Sequence, residues 1–264
     1  MRPREDYEAF WAGVEETLRA VLASGERDLS RVVRRVEAQW RSTNTEPADG
    51  TSFGNAVTLP QTSLIGGRRD LIVRVLLESA TPRTSMVVEL GAGWGNNLAD
   101  LYLWGGPNVP YYALEPTGSG RACAGLLAEL APELDLTALP FDYERPSYDL
   151  PRDNEHVLLL TCMSIEQITE LRREALTGLF DLGASLTVVH FEPLGWQIRG
   201  DAESSKARQY ARHRGYNTNL WPLLVELADA GELTIDRVVP DMIGHKRKEP
   251  SSLVVWRRRE TDAA

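Results

Sequence analysis

The segment Val87-Val88-Glu89-Leu90-Gly91-Ala92-Gly93-Trp94-Gly95-Asn96-Asn97 constrains what this chain can fold into more than any other. Met86–Leu90 reads as a short buried strand from its length and flanks, and residues 96–104 read as a helix. Where a strand passes through glycines into a helix, backbone N–H groups face outward and a ligand meets no Cβ on its approach. The spacing is E-x-G-x-G-x-G. A dinucleotide fingerprint, G-x-G-x-x-G or A, fails here because its sixth position is Asn96. The acid ahead of the glycines narrows the ligand further. Glu89 repels a pyrophosphate but accepts hydrogen bonds from a cationic or amine-bearing group.

The rest of the chain repeats strand and helix around that segment. Residues 68–79 form a helical stretch closed by Pro82. Strands are expected at Tyr111–Glu115, Leu134–Leu139, His156–Cys162 and Ser185–Phe191, with helices at Gly120–Leu130, over roughly 166–180 and at Leu220–Ala230. Leu233–Val239 and Ser252–Arg257 are two further strands whose connection is too short for a crossover helix, so they pair antiparallel. Continuous apolar strands alternating with helices predict a doubly wound α/β fold. Its sheet has seven strands, is mostly parallel and ends in an antiparallel hairpin. Two amphipathic helices precede it. Tyr7, Phe10, Trp11, Val14, Leu18, Val21 and Leu22 share one face up to Gly25, and Leu29, Val32, Val33, Val36 and Trp40 share another. Residues 41–63 are polar and turn-rich and read as a long loop, either a connector or a lid. The chain therefore divides into a helical cap and loop, 1–63, and an α/β domain, 64–264.

Composition removes several classes of partner. With 29 Lys and Arg against 38 Asp and Glu, the net charge is −9, which lacks the basic field that draws nucleic acid. The short basic runs His245–Lys248 and Arg257–Arg259 read as solvated turn and tail charges. No apolar run approaches the ~18 residues of a membrane span, and the first residues have no apolar signal core. Cys123 and Cys162 lie in apolar segments without metal-ligand spacing, as expected of reduced thiols in a cytoplasmic protein that holds no metal.

Glu89, the glycines and their strand–helix context resemble motif I of the class I S-adenosylmethionine-dependent methyltransferases, and the resemblance covers roughly residues 65–257. It implies S-adenosylmethionine as cofactor. Glu89 then holds its amino-acid end, above a loop made by Gly91, Gly93, Gly95 and Asn96. Glu115, 26 residues further on and closing the second strand, implies a ribose contact. In Phe141-Asp142-Tyr143, the resemblance implies that Asp142 reads the adenine amine and that either Tyr143 or Phe141 offers a stacking surface. Met163 lies beneath adenine and sulfonium. The C-terminal hairpin resembles the family's antiparallel seventh strand.

The methyl acceptor is expected at the ends of the fourth and fifth strands, which carry Glu166, Gln167, His190, Glu192, Trp196 and Gln197. Two carboxylates, a histidine and an indole suit an amine or guanidinium, with Glu166, His190 and Glu192 as the candidate catalytic residues. Two of them have a plainer reading: Glu166 as an acid starting a helix, His190 as a hydrogen-bonded core residue. Nucleic-acid amino-methyltransferases carry N/D-P-P-Y/F where this chain has Met163-Ser164-Ile165-Glu166. The expectation is direct in-line methyl transfer to a nitrogen or oxygen of a small molecule. The alternatives are an NAD(P)-dependent oxidoreductase and a non-catalytic cofactor- or partner-binding module. The arginine-rich stretch Gln197–Asn219 either caps the acceptor or is a solvated helix. A homodimer is one option for assembly.

Overall fold

The computed structural model describes residues 4–40, 45–200, 205–244, 246 and 249–258. In chain order the elements are α1 Arg4–Ala23, α2 Leu29–Trp40, β1 Pro47–Ser52, β2 Asn55–Pro60, α3 Gln61–Ser79, β3 Thr84–Leu90, α4 Asn96–Leu103 and β4 Tyr111–Glu115. There follow α5 Gly118–Leu130, β5 Leu136–Pro140, β6 His156–Cys162, α6 Glu174–Thr177, β7 Ser185–Glu192, α7 Gly195–Arg199, α8 Ser205–Arg214, α9 Leu220–Asp229, β8 Leu233–Gly244 and β9 Ser251–Arg258.

The apolar run before the glycines is β3, buried along its length except at Ser85 and flanked by parallel β4 and β6. Register sets Glu89 opposite Ala113 on one side and Leu160 on the other. Parallel pairing continues to β5 beyond β4 and to β7 beyond β6. From β7 the direction reverses, β9 and then β8 pairing antiparallel. The sheet order is β2-β1-β8-β9-β7-β6-β3-β4-β5. Strand order turns back at β3, with β4 on one side and β6 on the other, so a crevice opens beyond their carboxyl ends.

The seven expected strands form where the sequence placed them, but the sheet has nine. Residues 47–60 are not loop. They form the β1–β2 hairpin, joined through Phe53 and Gly54, both with positive φ, in the two-residue turn that suits strand twist. β1 adds to the sheet beside β8. Residues 41–44 lie outside the described residues, as do His245, Arg247, Lys248 and Arg259 of the basic runs. The helix expected over 166–180 is also broken up. Ile165–Gln167 is a single 3₁₀ turn, followed by short α6 and a second 3₁₀ turn at Gly178–Leu182. Side chains divert the backbone there: Glu192 accepts from the N–H groups of Ser164, Ile165 and Glu166, and Asn219 Oδ1 from that of Leu171.

Two apolar layers cover the sheet. One combines Val87, Leu158 and Phe191 with α1 to α5; the other combines Val88, Leu159 and Trp256 with α6, α9 and the 3₁₀ turns. The N-terminal helices bury Val14, Leu18 and Val21 of α1 and Val32, Val33 and Val36 of α2 in the first layer. α2 is also tied down by charge, because Arg34 donates to buried Asp100 of α4 and to Glu37. No helix among the described residues is long and apolar enough to cross a membrane.

Candidate functional site

The crevice holds two cavities that meet at Trp11, Gly91 and Met163. The first, of about 230 Å³, has Glu89 and the glycine loop in its wall, with Asn96 and Asn97 from the start of α4. Glu89 is 1% exposed. Its Oε1 accepts from Asn97 Nδ2 at 2.6 Å, while its Oε2 is buried and has no hydrogen-bond partner among the described residues. Burial pushes its pKa up to about 8, against the Asn97 hydrogen bond and with help from Glu115, Asp100 and Glu192. A carboxylate left this way invites a cationic donor from a ligand.

The glycine loop is pressed between two neighbours. Gly91 has φ +69, and a Cβ there stands 2.4 Å from Cβ of Ser164. Gly93 has φ +56, and a Cβ there stands 2.5 Å from the indole of Trp11. Gly95 takes the left-handed conformation at the N-cap of α4. Trp11 therefore sits on the loop itself, and α1 brings it there. Glu8, one turn earlier, accepts from Gly118 N at 2.8 Å and Ser119 N at 2.7 Å, capping α5, while its carbonyl accepts from Ser119 Oγ.

The second cavity, of about 290 Å³, is lined by Glu115, Thr117, Asp142, Tyr143, Gln167 and Tyr7, among others. Glu115 is buried at the end of β4. Its Oε2 accepts from Gly93 N at 2.8 Å, and its Oε1 accepts from Thr117 N and Oγ1, which fixes the carboxylate against the glycine loop. Asp142 is half-buried and accepts from Glu144 N. Tyr143 is buried, edge-on to Phe141, with its hydroxyl on Leu90 O and Ser164 Oγ. Burial raises that hydroxyl's pKa well above the usual range, so it stays a neutral hydrogen-bonding group. Met163 takes a positive φ of 52° and lines both cavities. The nine residues expected to hold a cofactor are thus brought together at one crevice, although Gly95 supports the loop from behind and lines neither cavity.

The three expected acceptor-side residues separate. His190 does not reach either cavity. It is 1% exposed, accepts from Trp256 Nε1–H at Nε2 (2.9 Å), and so places its own proton on Nδ1, toward Thr161 Oγ1 at 2.8 Å. Burial drives its pKa down to about 3, which keeps the ring neutral. The Thr161 hydroxyl in turn bonds to Glu192. Glu192, fully buried, also takes the three N–H groups after β6. Burial raises its pKa while these donors oppose the rise. Trp256, His190, Thr161 and Glu192 form one buried chain that holds Ser164 against Gly91. Glu166 is different. Its Oε1 accepts from Gln167 Nε2 at 2.6 Å, but its Oε2 is buried without a hydrogen-bond partner among the described residues. Burial, with Glu192 and Glu249, raises its pKa well above the carboxylate range, and Arg68 opposes.

Nearby, Tyr210 and Tyr216 both donate to Glu249. Trp196, Gln197, Arg208 and Arg212 line a separate cavity of about 390 Å³. Residues 201–204 of the arginine-rich stretch lie outside the described residues. Among the described residues, no group of three His, Cys, Asp or Glu side chains is placed to hold a metal. Sequence reading missed Arg68, Asn97, Thr117 and Glu8. Only Asn97 carried a signal, being next to the glycines. The other three act through tertiary contacts.

No family model matches the sequence, and no curated protein matches it. Solved structures do. Geranyl diphosphate methyltransferase, solved with GPP and sinefungin, aligns at TM-score 0.51 and 10% identity over 74% of this chain and 77% of its own. A SAM-dependent methyltransferase from Aquifex aeolicus aligns at TM-score 0.47 and 16% identity over 75% and 98%. Magnesium protoporphyrin IX methyltransferase from Synechocystis aligns at TM-score 0.46 and 16% identity over 75% and 86%. At these identities the likeness is one of fold, carried by the first of the three: a Rossmann-like α/β sheet, mostly parallel with antiparallel strands at one side.

Proposed function

We propose that this chain is an S-adenosylmethionine-dependent methyltransferase acting on a small-molecule acceptor, at nitrogen or oxygen, with an amine or guanidinium favoured. One observation carries the reading. Glu89 buries an unpartnered carboxylate oxygen in a cavity walled by glycine backbone. A pyrophosphate is repelled by that group once it ionises, whereas an α-ammonium both donates to the bare oxygen and answers the charge of the ionised carboxylate. The fold shared with geranyl diphosphate methyltransferase supports the reading.

Under this reading Glu89 and Asn97 hold the amino-acid end over Gly91, Gly93 and Asn96, with Gly95 setting the turn. Glu115 accepts from the ribose, its orientation preset by Gly93 N and Thr117. Asp142 and Tyr143 border the adenine, and Met163 lies where the two lobes join. When bound, S-adenosylmethionine supplies a methyl group already activated on a sulfonium. The protein's part is to exclude water and to align the acceptor. Trp11 and α1 cover the site. Glu166, with one bare oxygen and a pKa raised well above the ordinary carboxylate value by burial, is assigned to take the acceptor's proton. His190 and Glu192 are positioning residues that act through Thr161 and the turn after β6. The cap extends through α1 and α2, and the β1–β2 hairpin belongs with the sheet domain.

Two measurements test this. Calorimetry with S-adenosylhomocysteine and with NADH separates the methyltransferase from the oxidoreductase reading. Binding of the first alone is expected, with Gly93→Arg losing it; tight NADH binding without S-adenosylhomocysteine binding would overturn the proposal. Methyl transfer from labelled cofactor across amine, guanidine and hydroxyl acceptors then separates an enzyme from a binding module. Turnover is expected, and Glu166→Gln is expected to lower it while cofactor affinity holds.

A further inference from the structure

The cavity of about 390 Å³ is lined by Trp196, Gln197, Arg208, Arg212, Thr218 and Pro222, none of which borders the crevice and none of which is acidic. Its two arginines stand out from the others of the same stretch. Arg199 is paired with Asp241, and Arg214 lies 5.8 Å from the ring centre of Tyr216. Arg208, half-buried, has the indole of Trp196 at 6.0 Å as its contact, and Arg212 is exposed. Neither makes a hydrogen bond or ion pair with any described residue. They are four residues apart on α8, so their stems leave one helix face about 5–6 Å apart at Cβ, where like charges repel. The described residues of α8 include no acid to offset that repulsion, although the chain as a whole has a net charge of −9. The polar wall opposite is fixed: Gln197 donates to Asn217 O at 2.8 Å and accepts from Trp221 N at 3.1 Å, and Thr218 Oγ1 donates to Thr169 O at 3.2 Å.

We propose that this cavity is a binding site for an organic phosphate monoester, its phosphate held between Arg208 and Arg212 and its body against Trp196 and Pro222. One carboxylate is saturated by a single guanidinium through two parallel hydrogen bonds, which leaves the second arginine uncompensated. A phosphate monoester carries about −1.5 to −2 charges at pH 7 and three acceptor oxygens, enough to engage both. The cavity is larger than a phosphate needs, and the remaining space is bordered by an aromatic ring and a proline, which suits an apolar or planar body. The site goes beyond the cofactor reading and stands without it. It lies on the side of Glu166: Gln197 bonds to Asn217, whose N–H donates to Glu166 O at 3.0 Å.

The test titrates phenyl phosphate, phenyl sulfate and inorganic phosphate by calorimetry into the full-length native protein, Arg208→Gln, Arg212→Gln and Lys206→Gln. Lys206 is an exposed cation of the same helix that does not line the cavity. Phenyl phosphate is expected to bind one to one. Phenyl sulfate, of the same shape with one charge, and inorganic phosphate, without the body, are each expected to bind about tenfold more weakly. Each arginine variant is expected to weaken phenyl phosphate by about tenfold or more, and Lys206→Gln to leave it unchanged. Saturation with S-adenosylhomocysteine should also leave it unchanged. Thermal melting of the ligand-free variants checks that the fold persists. No binding of phenyl phosphate, or an equal loss in Lys206→Gln, overturns the site as a diffuse basic surface. Equal binding of phenyl sulfate overturns the dianion, equal binding of inorganic phosphate overturns the body, and competition by S-adenosylhomocysteine overturns a location outside the crevice.

Discussion

Gly91 has φ +69, and a methyl group placed on it falls 2.4 Å from Cβ of Ser164. Gly91→Ala therefore incurs two separate costs. The left-handed conformation with a side chain costs about 1–2 kcal/mol. Overpacking against a neighbour that cannot retreat costs about 1–3 kcal/mol. Ser164 is such a neighbour: its hydroxyl donates to Leu90 O at 2.8 Å, and its N–H is held by Glu192 at 3.1 Å. The expected loss is about 2–5 kcal/mol, against a total of about 5–15 kcal/mol for a domain. Urea unfolding measures it, as a lowered midpoint with the slope preserved. Adding Ser164→Gly removes the clashing atom but not the backbone strain. The double-mutant cycle should thus recover about 1–3 kcal/mol as coupling and leave the backbone part. A single Gly91→Ala variant within about 0.5 kcal/mol of native, or a cycle with no coupling, refutes the placement of this loop against the turn after β6.

Two further predictions concern protons. Glu89, with its pKa raised to about 8, is mostly protonated in the free protein at pH 7 and must ionise to receive an ammonium. Binding of S-adenosylhomocysteine at that pH should therefore release about one proton. The number is read from calorimetry in buffers of different ionisation enthalpy; Glu89→Gln should abolish the release, and its persistence there would assign the proton elsewhere. His190 works in the opposite sense. Its pKa is depressed to about 3 when folded, against ~6.5 unfolded, so its contribution is complete above ~6.5 and is lost as pH falls towards 3. Between pH 6 and 4 the native protein should lose roughly 2–3 kcal/mol more stability than His190→Gln, since buried acids such as Glu89 contribute equally to both. Parallel stability profiles for the two proteins would show that His190 is not buried as a neutral ring.

The central strands were legible because each is buried on both faces, so β3, β6 and β7 spell continuous apolar runs that need no partner to be recognised. The β1–β2 hairpin was not. Its residues are largely exposed, its strands mix proline, glycine and polar side chains, and the turn signal Phe53-Gly54 is weak because an aromatic residue occupies a positive-φ position. The 166–180 region misled because local propensity favours helix, while the N–H groups there are claimed by Glu192 and Asn219, distant in sequence. At the site, Glu89 and Glu115 were picked out by their strand-end positions and the resemblance to motif I, and both border the crevice. Arg68 and Arg69 could not, since only the tertiary fold brings α3 to the wall of the Glu89 cavity.

Trp11 touches both lobes of the crevice and rests on Gly93, while Glu8, on the same helix, grips the start of α5. A molecule that reaches from Glu89 to Asp142 lies with that indole across its middle. It is threaded beneath the protein's own first helix, as a page is held under a clasp, and comes out when the clasp lifts. The rate at which such a molecule is exchanged is then expected to follow α1 and its hold on the start of α5.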